Sequence, residues 1–443
     1  MSKARDFTQG NIFRHLVIFS GPIMLTDFLQ TSYQIVDSLW IGNLLGANAL
    51  GAVAVSSAIL FAVLSFVIGL NNATLAILSQ QKGRDDEEGL RRYLNAFVVT
   101  LSVLVVIISI GGILLTEPLL HLLGTPEAMF HDAKRYLFIN FIGIAFLVGY
   151  NFISAVLRSL GDSRTPLIFV ALAVVLNVFL DPLFIAGFQL GIAGAAFATI
   201  LSQGCAFLYG VYYVWNKGLV PFSRPYKPKW KEVNTILYVG IPSGLQMAVI
   251  SAGLAAIMSV VTSFGEAVTG GFGAAQRIEN LLLLPAGALG TAVSSMAGQN
   301  IGAKNWRRVH QIARYGLLYN FMIMLSVGLI VFLFAEYFVK MFTRDAGAVQ
   351  FAAMYLKILA FFFPFLGVNF VLNGIVRASG SMYQVLVLNI LSFWVLRYPL
   401  TYVFAGKFGE AGIGFGIGTS FVISSMIAAL YYMFGKWKEK ELF

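Results

Sequence analysis

Residues 92–116 read RYLNAFVVTLSVLVVIISIGGILLT, and after Arg92 the run holds no acid and no base. A helix rises about 1.5 Å per residue, so about 20 apolar residues cross the roughly 30 Å hydrocarbon core of a bilayer. Working outward from this run, comparable stretches fall at 11–39, 46–78, 133–157, 164–187, 190–216, 233–263, 267–299, 309–337, 348–376, 383–406 and 411–435. The chain of 443 residues is 58% hydrophobic and only 11% charged, against about 25% charged in a soluble domain. Too few charges remain to cover a water-facing surface. Length alone would suggest two or three soluble domains, but the apolar runs override that prior. The expected fold is all-α and integral to a membrane, with twelve transmembrane helices. The N-terminus runs into a full span without a small-residue cleavage site, so no cleavable signal peptide is expected. The single cysteine, Cys205, excludes a disulfide within the chain.

The net charge of +10 would suit a nucleic-acid partner if the bases were scattered. They are not. One set of connections and the two ends carry Lys3, Arg5, Arg14, Lys82, Arg84, Arg91, Arg92, Arg158, Arg164, Lys217, Arg224, Lys227, Lys229, Lys231, Lys304, Arg307, Arg308, Arg314, Arg377, Lys436, Lys438 and Lys440. The alternate connections hold only Lys134, Arg135, Lys340, Arg344 and Lys407, and Arg277, Lys357 and Arg397 fall within spans. A split of 22 to 5 among the 30 basic residues is a positive-inside pattern. It predicts both termini in the cytoplasm of a multi-pass protein of the cell inner (plasma) membrane, with lipid rather than nucleic acid as its surroundings.

The polar stretch WNKGLVPFSRPYKPKWKEV at 215–233 divides the chain into halves. The expected domains are 1–216, a cytoplasmic linker at 217–231, and 232–443. Five weak matches recur across the division at offsets of 219 to 221. Gly-Pro at 21–22 answers Ile-Pro at 241–242, and LeuGlyAla at 45–47 answers PheGlyGlu at 264–266. SerGlnGlnLysGly at 79–83 answers GlyGlnAsnIleGly at 298–302. LeuArgSerLeuGly at 157–161 answers ValArgAlaSerGly at 376–380, and GlyIleAlaGly at 191–194 answers GlyIleGlyPhe at 412–415. Both halves start on one side of the membrane, so two six-helix bundles related by a pseudo-twofold along the membrane normal are expected, with a cavity between them.

On these residues the chain resembles the multidrug and toxic compound extrusion (MATE) family along essentially its whole length. The resemblance rests on six plus six spans, the basic linker, GlnAsnIleGlyAlaLys at 299–304 and ArgSerLeuGlyAspSerArgThrPro at 158–166. It implies an antiporter that exports amphipathic, often cationic compounds against a cation gradient by alternating access. No cofactor is implied beyond H+ or Na+ as coupling ion, and the protein is expected to act as a monomer.

A charge at mid-bilayer costs at least about 2.5–3.5 kcal/mol on insertion scales, so acids within spans are functional candidates. Four are present: Asp27, Asp37, Asp181 and Glu279. Asp37 ends the run ThrSerTyrGlnIleValAsp in span one. Asn177 and Asp181, four apart, share a face of span five. With Thr199 on span six, all fall in the outer half of the membrane. Two carboxylates, an amide and a hydroxyl can hold a small cation, or the carboxylates can share a proton. Members of the DinF-like and archaeal branches use an aspartate on span one and an Asn–Asp pair on span five in this way, and the resemblance extends that role to Asp37, Asn177 and Asp181. A metal is expected to be absent, or to be Na+ at Asp37, Asn177, Asp181 and Thr199. Tyr33 and Pro22, where span one can bend, fit the same pattern. NorM-like members carry acids on spans seven and ten, whereas this chain offers Gln246 on span seven and Asn369 and Asn373 on span ten. Asp27, Gln246, Glu279 and Asn369 remain candidates for the substrate cavity. For Glu279 the plain alternative is a structural ion pair with Arg397.

No P-loop, His-Glu-x-x-His or Gly-x-Ser-x-Gly motif is present, so membrane enzymes are disfavoured, and a channel fits the doubled architecture less well than a carrier. The strongest rival is a lipid-linked saccharide flippase of the same superfamily. It would need several cations facing its cavity to hold a pyrophosphate, and the spans contain more acids than bases.

Overall fold

The structure, a computed structural model, describes residues 5–440 and 442–443, so Lys3 of the basic set lies outside the described residues. Among the described residues there is no strand, and eleven helices are long and apolar enough to cross a membrane. In chain order, spans one to six are Ile12–Leu45, Ala47–Gly83, Glu87–Leu122, Glu127–Ser159, Arg164–Gly187 and Ile192–Lys217. Spans seven to nine are Trp230–Thr262, Glu266–Gly302 and Trp306–Lys340; spans eleven and twelve are Met382–Phe408 and Glu410–Phe434. Span ten is a bent pair, Ala346–Ala360 and Phe363–Ala378, meeting at 57°. Hydropathy drew it as one run. Pro364 accounts for the break, because its ring displaces the hydrogen bond to the carbonyl four residues back, at Ala360.

The helices are apolar on the outside, as lipid requires. Span three exposes Val103, Val106, Ile107, Ile110 and Leu114 at spacings of three and four, a stripe along one face. Small residues sit on the inner faces, where they let helices approach closely. A Cβ at Gly112 would enter the ring of Phe141, and one at Gly143 would enter the side chain of Ile200. Asp86, Asn305 and Asp345 each cap a helix start with a short polar side chain. Asp86 accepts from the Gly89 amide at 2.8 Å, so the largely exposed acidic run at 85–88 opens span three.

Packing divides the chain into two compact units. The first comprises Leu25–Gly240 with the residues just before Phe7, and the second comprises Phe7–Met24 with Ile241–Phe443. The divisions therefore fall inside spans one and seven, within two residues of Pro22 and Pro242. Span one nonetheless runs as one helix through Pro22. The linker belongs to the first unit, where Asn95 Nδ2 donates to the Tyr226 carbonyl at 2.8 Å and the Tyr226 amide returns a bond at 3.0 Å.

Both stretches that carry the family resemblance have structural work. Gln299 accepts from the Phe7 amide at 3.0 Å, Asn300 donates to the Phe7 carbonyl at 3.0 Å, and Arg308 reaches the carbonyls of Phe7, Gln9 and Gly10. Together they dock the start of span one into the second unit. In the first unit, Asp162 accepts from the Arg164 and Thr165 amides at 2.9 and 3.1 Å and so opens span five. Gly161 precedes it at φ +93, where a Cβ would also strike the Arg5 carbonyl.

The repeat is visible in the backbone. Gly46 (φ 86, ψ −174) and Gly265 (φ 98, ψ −177), 219 residues apart, open spans two and eight in the same conformation. Gly191 (φ 59, ψ −138) pairs in the same way with Gly409 (φ 61, ψ −143). Its counterpart is therefore Gly409 and not Gly412, which corrects the last of the sequence matches by three residues. Spans five and eleven each contain a π-helical segment, Leu183–Gly187 and Leu391–Arg397. Such insertions change the residue count without changing hydropathy.

Candidate functional site

Gln30, Tyr33, Gln34 and Asp37 lie at three- and four-residue spacing and so share one face of span one. That face lines a cavity of about 580 Å³ inside the first unit, closed by polar and apolar residues of spans two, four, five and six. The volume lies in the range of drug-sized ligand sites.

Behind the cavity wall, Asn177 and Asp181 are fully buried, and Asn177 Nδ2 donates to Asp181 Oδ1 at 3.2 Å. Asp37 is 8% exposed and within hydrogen-bonding reach of Asp181. Two carboxyls can share a hydrogen bond only when one holds a proton. Three oxygens of this group, Asp37 Oδ1, Asn177 Oδ1 and Asp181 Oδ2, are buried without a hydrogen-bond partner. Buried polar atoms are almost always paired, so three adjacent orphans fit a place for a proton or a small cation. Tyr33 and Thr199 complete the group: their hydroxyls lie 2.9 Å apart, and Tyr33 is an electrostatic neighbour of both carboxyls. Directly after Asp181 stands Pro182, which has no N–H to give and is followed at once by the π turn at Leu183–Gly187.

The five residues expected to form the site are thus brought together. Asp27 is not among the cavity's lining residues; its carboxylate lies 3.9 Å from Arg158. Gln246 is buried in the second unit, where it donates to the Met382 carbonyl at 3.2 Å and accepts from Asn389 at 3.4 Å. Asn369 donates to Ser424 at 3.3 Å, and Glu279 accepts from the Tyr355 hydroxyl at 3.4 Å. Arg397 does not touch Glu279 directly: it stands over the Phe393 ring at 3.8 Å, bonds Ser420 at 3.2 Å, and is Glu279's electrostatic neighbour. The sequence reading missed two features. Tyr136 faces both Asp37 and Asp181, and Gln30 donates to the Tyr150 hydroxyl at 3.2 Å. The spacing of Gln30 and Gln34 before Asp37 was a usable signal, whereas Tyr136 in span four gave none.

A twelve-span helical fold with a buried carboxyl pair beside an internal cavity is that of a carrier. The chain belongs to the MatE family, a family of transporters and not of enzymes: the family profile matches residues 22–183 and again residues 242–403. Start and end of the two matches are displaced by the same interval, which is the internal repeat. The chain is 60% identical over 441 residues to "Probable multidrug resistance protein YpnP" of Bacillus subtilis, covering 100% of this chain and 99% of that one. It is 27% identical to "Probable multidrug resistance protein NorM" of Thermotoga maritima over 97% of this chain and 94% of that one. Among solved structures, the outward-facing conformation of a multidrug resistance MATE family transporter aligns with a TM-score of 0.93 at 25% identity, covering 100% of both chains. These relatives place the chain with multidrug efflux transporters.

Proposed function

We propose that the chain is a secondary active antiporter that expels amphipathic, cationic compounds in exchange for H+ or Na+, with the coupling ion taken by Asp37, Asn177 and Asp181. The observation that carries this reading is the set of three orphaned oxygens on a carboxyl–amide–carboxyl cluster, one member of which opens onto a drug-sized cavity. When the ion leaves, two carboxylates repel. When it binds, the repulsion ends and span one can move toward span five. That is the differential interaction a state change requires. Tyr33 and Thr199 orient the cluster through their shared hydrogen bond, and the proline near the packing division in span one gives the helix a place to flex.

The arrangement favours the DinF-like pattern over the NorM-like one. Span ten has no acid, and Gln246 is spent on a backbone carbonyl and an amide. The cavity lining contains no lysine or arginine and one carboxylate, which suits cationic cargo and argues against a pyrophosphate-linked saccharide. The basic bias of alternate connections supports cytoplasmic termini in the plasma membrane. The deciding experiment is dye efflux from reconstituted vesicles under an imposed pH gradient, repeated under an imposed sodium gradient. Efflux driven by either gradient, and lost with Asp37→Asn, is expected. Equal efflux with and without both gradients overturns the antiport reading.

A further inference from the structure

The backbone register allows each position of the first unit's ion site to be matched to the second unit. Tyr136 corresponds to Tyr355, because spans four and ten begin at caps Pro126 and Asp345 in the same register. The glycine caps at Gly46 and Gly265 align Leu60, which lines the first unit's cavity, with Glu279. The offsets of 218 and 219 given by the flanking caps carry Asn177 to Val395 or Leu396, one or two residues before Arg397 in the matching span. Gly191 and Gly409 align Ser202 with Ser420. The polar node therefore recurs at one place in both units, with different charges.

In the first unit the node holds two carboxyls and no basic side chain, and three of its oxygens stand unpartnered. In the second unit the node holds one carboxyl and one guanidinium. Arg397 is buried, its Nε donates to Ser420 Oγ at 3.2 Å, and the rings of Phe393 and Phe421 lie 3.8 and 4.7 Å from its Cζ. Glu279 accepts from Tyr355, and Glu279 and Tyr355 are the titratable groups that face the guanidinium among the described residues. A buried guanidinium stays charged, being the strongest base among side chains, and stacks on aromatic faces. We infer that Arg397 is a tethered cation: it permanently fills, in the second unit, the ion position that stands open in the first. The second unit then never waits for an ion, and coupling is confined to one half of the molecule. The comparison with the first unit rests on the coupling role proposed for Asp37 and Asp181, whereas the count that tests Arg397 does not.

The test counts cations bound by purified protein. Protons taken up on acidification are followed with an indicator dye, and sodium with radiotracer binding. The chains compared are the wild type, Arg397→Lys, Arg397→Gln and Glu279→Gln/Arg397→Gln, each also in an Asp37→Asn background. Without the guanidinium, the Glu279 carboxylate must find another partner, so Arg397→Gln should bind one more proton or sodium ion per chain than its parent. Arg397→Lys and the double variant should match the parent. The increment should appear in both backgrounds. If instead the coupling role of Asp37 is wrong, the Asp37→Asn parent binds as many ions as the wild type, and the Arg397→Gln increment is still seen. Removing one member of a buried pair is far more damaging than removing both, so Arg397→Gln can fail to fold. In that case recovery of folding in the double variant supports the inference. A folded Arg397→Gln chain with the parent's count overturns it, as does a double variant no better than Arg397→Gln in count and thermal stability.

Discussion

Replacing Asp37 by Asn should uncouple the carrier while leaving it folded and able to bind drug. Asn keeps the shape of the side chain and a hydrogen-bonding end for Asp181, so the buried cluster stays filled. What it removes is one charge of a pair in hydrogen-bonding contact. Two unit charges about 4 Å apart interact by about 4 kcal/mol at an effective dielectric constant near 20. At about 1.4 kcal/mol for each factor of ten, ion binding can bias the conformational equilibrium by roughly a thousandfold in the wild type. With one carboxylate left, that term is absent with or without the ion, and a ligand that does not discriminate between states shifts nothing. In vesicles loaded with a fluorescent cationic dye, gradient-stimulated efflux by Asp37→Asn should fall to the rate seen without a gradient. Dye affinity in detergent, followed by fluorescence anisotropy, should stay within a few-fold of wild type. Asp181→Asn should behave alike, and the double variant should be little worse than either, because residues acting as one unit are not additive. Gradient-driven efflux at the wild-type rate by Asp37→Asn would refute the mechanism.

Tyr33→Phe removes one hydroxyl of the 2.9 Å bond to Thr199; it should slow efflux by about two- to tenfold, the worth of one hydrogen bond of about 0.5–1.5 kcal/mol, with coupling retained in the vesicle assay. Glu279→Gln loses a charged partner of Tyr355 and Arg397 and leaves the buried guanidinium uncompensated, so it should lower stability by about 3–5 kcal/mol in thermal unfolding, with transport per folded molecule unchanged. Gly412→Ala pushes a Cβ into the Phe404 carbonyl; overpacking of this kind costs about 1–3 kcal/mol, readable as a lower melting temperature in detergent. A cysteine at position 227, in a Cys205→Ala background, should label in inverted membrane vesicles and resist impermeant reagents in intact cells; labelling from outside would reverse the topology.

What could be read from the sequence follows from how strictly the bilayer constrains a chain. Span three admits no reading except a crossing, since its apolar run fills the hydrocarbon and its exposed stripe meets lipid. Asp37 and Asp181 announced themselves because charge in hydrocarbon is costly enough to need a reason. Tyr136 carried no such mark, for tyrosines are ordinary in membrane helices, and only the fold brings it to both carboxyls. Gln299 and Asn300 could be recognised as a family signature, yet their partner, the backbone at Phe7, lies nearly three hundred residues earlier. No local rule reaches that far. The bend in span ten escaped notice because its apolar run is continuous, and Pro364 is equally at home in the first turn of a helix. A shared Gly-Ile pair led Gly191 to be matched with Gly412 in place of Gly409, where the backbone conformation recurs. Local likeness of letters also hid the most informative comparison in the molecule. Only when the caps are aligned do Tyr355, Glu279 and Ser420 fall on Tyr136, Leu60 and Ser202, so that Arg397, the base left over among the acids, becomes the ion of the second unit.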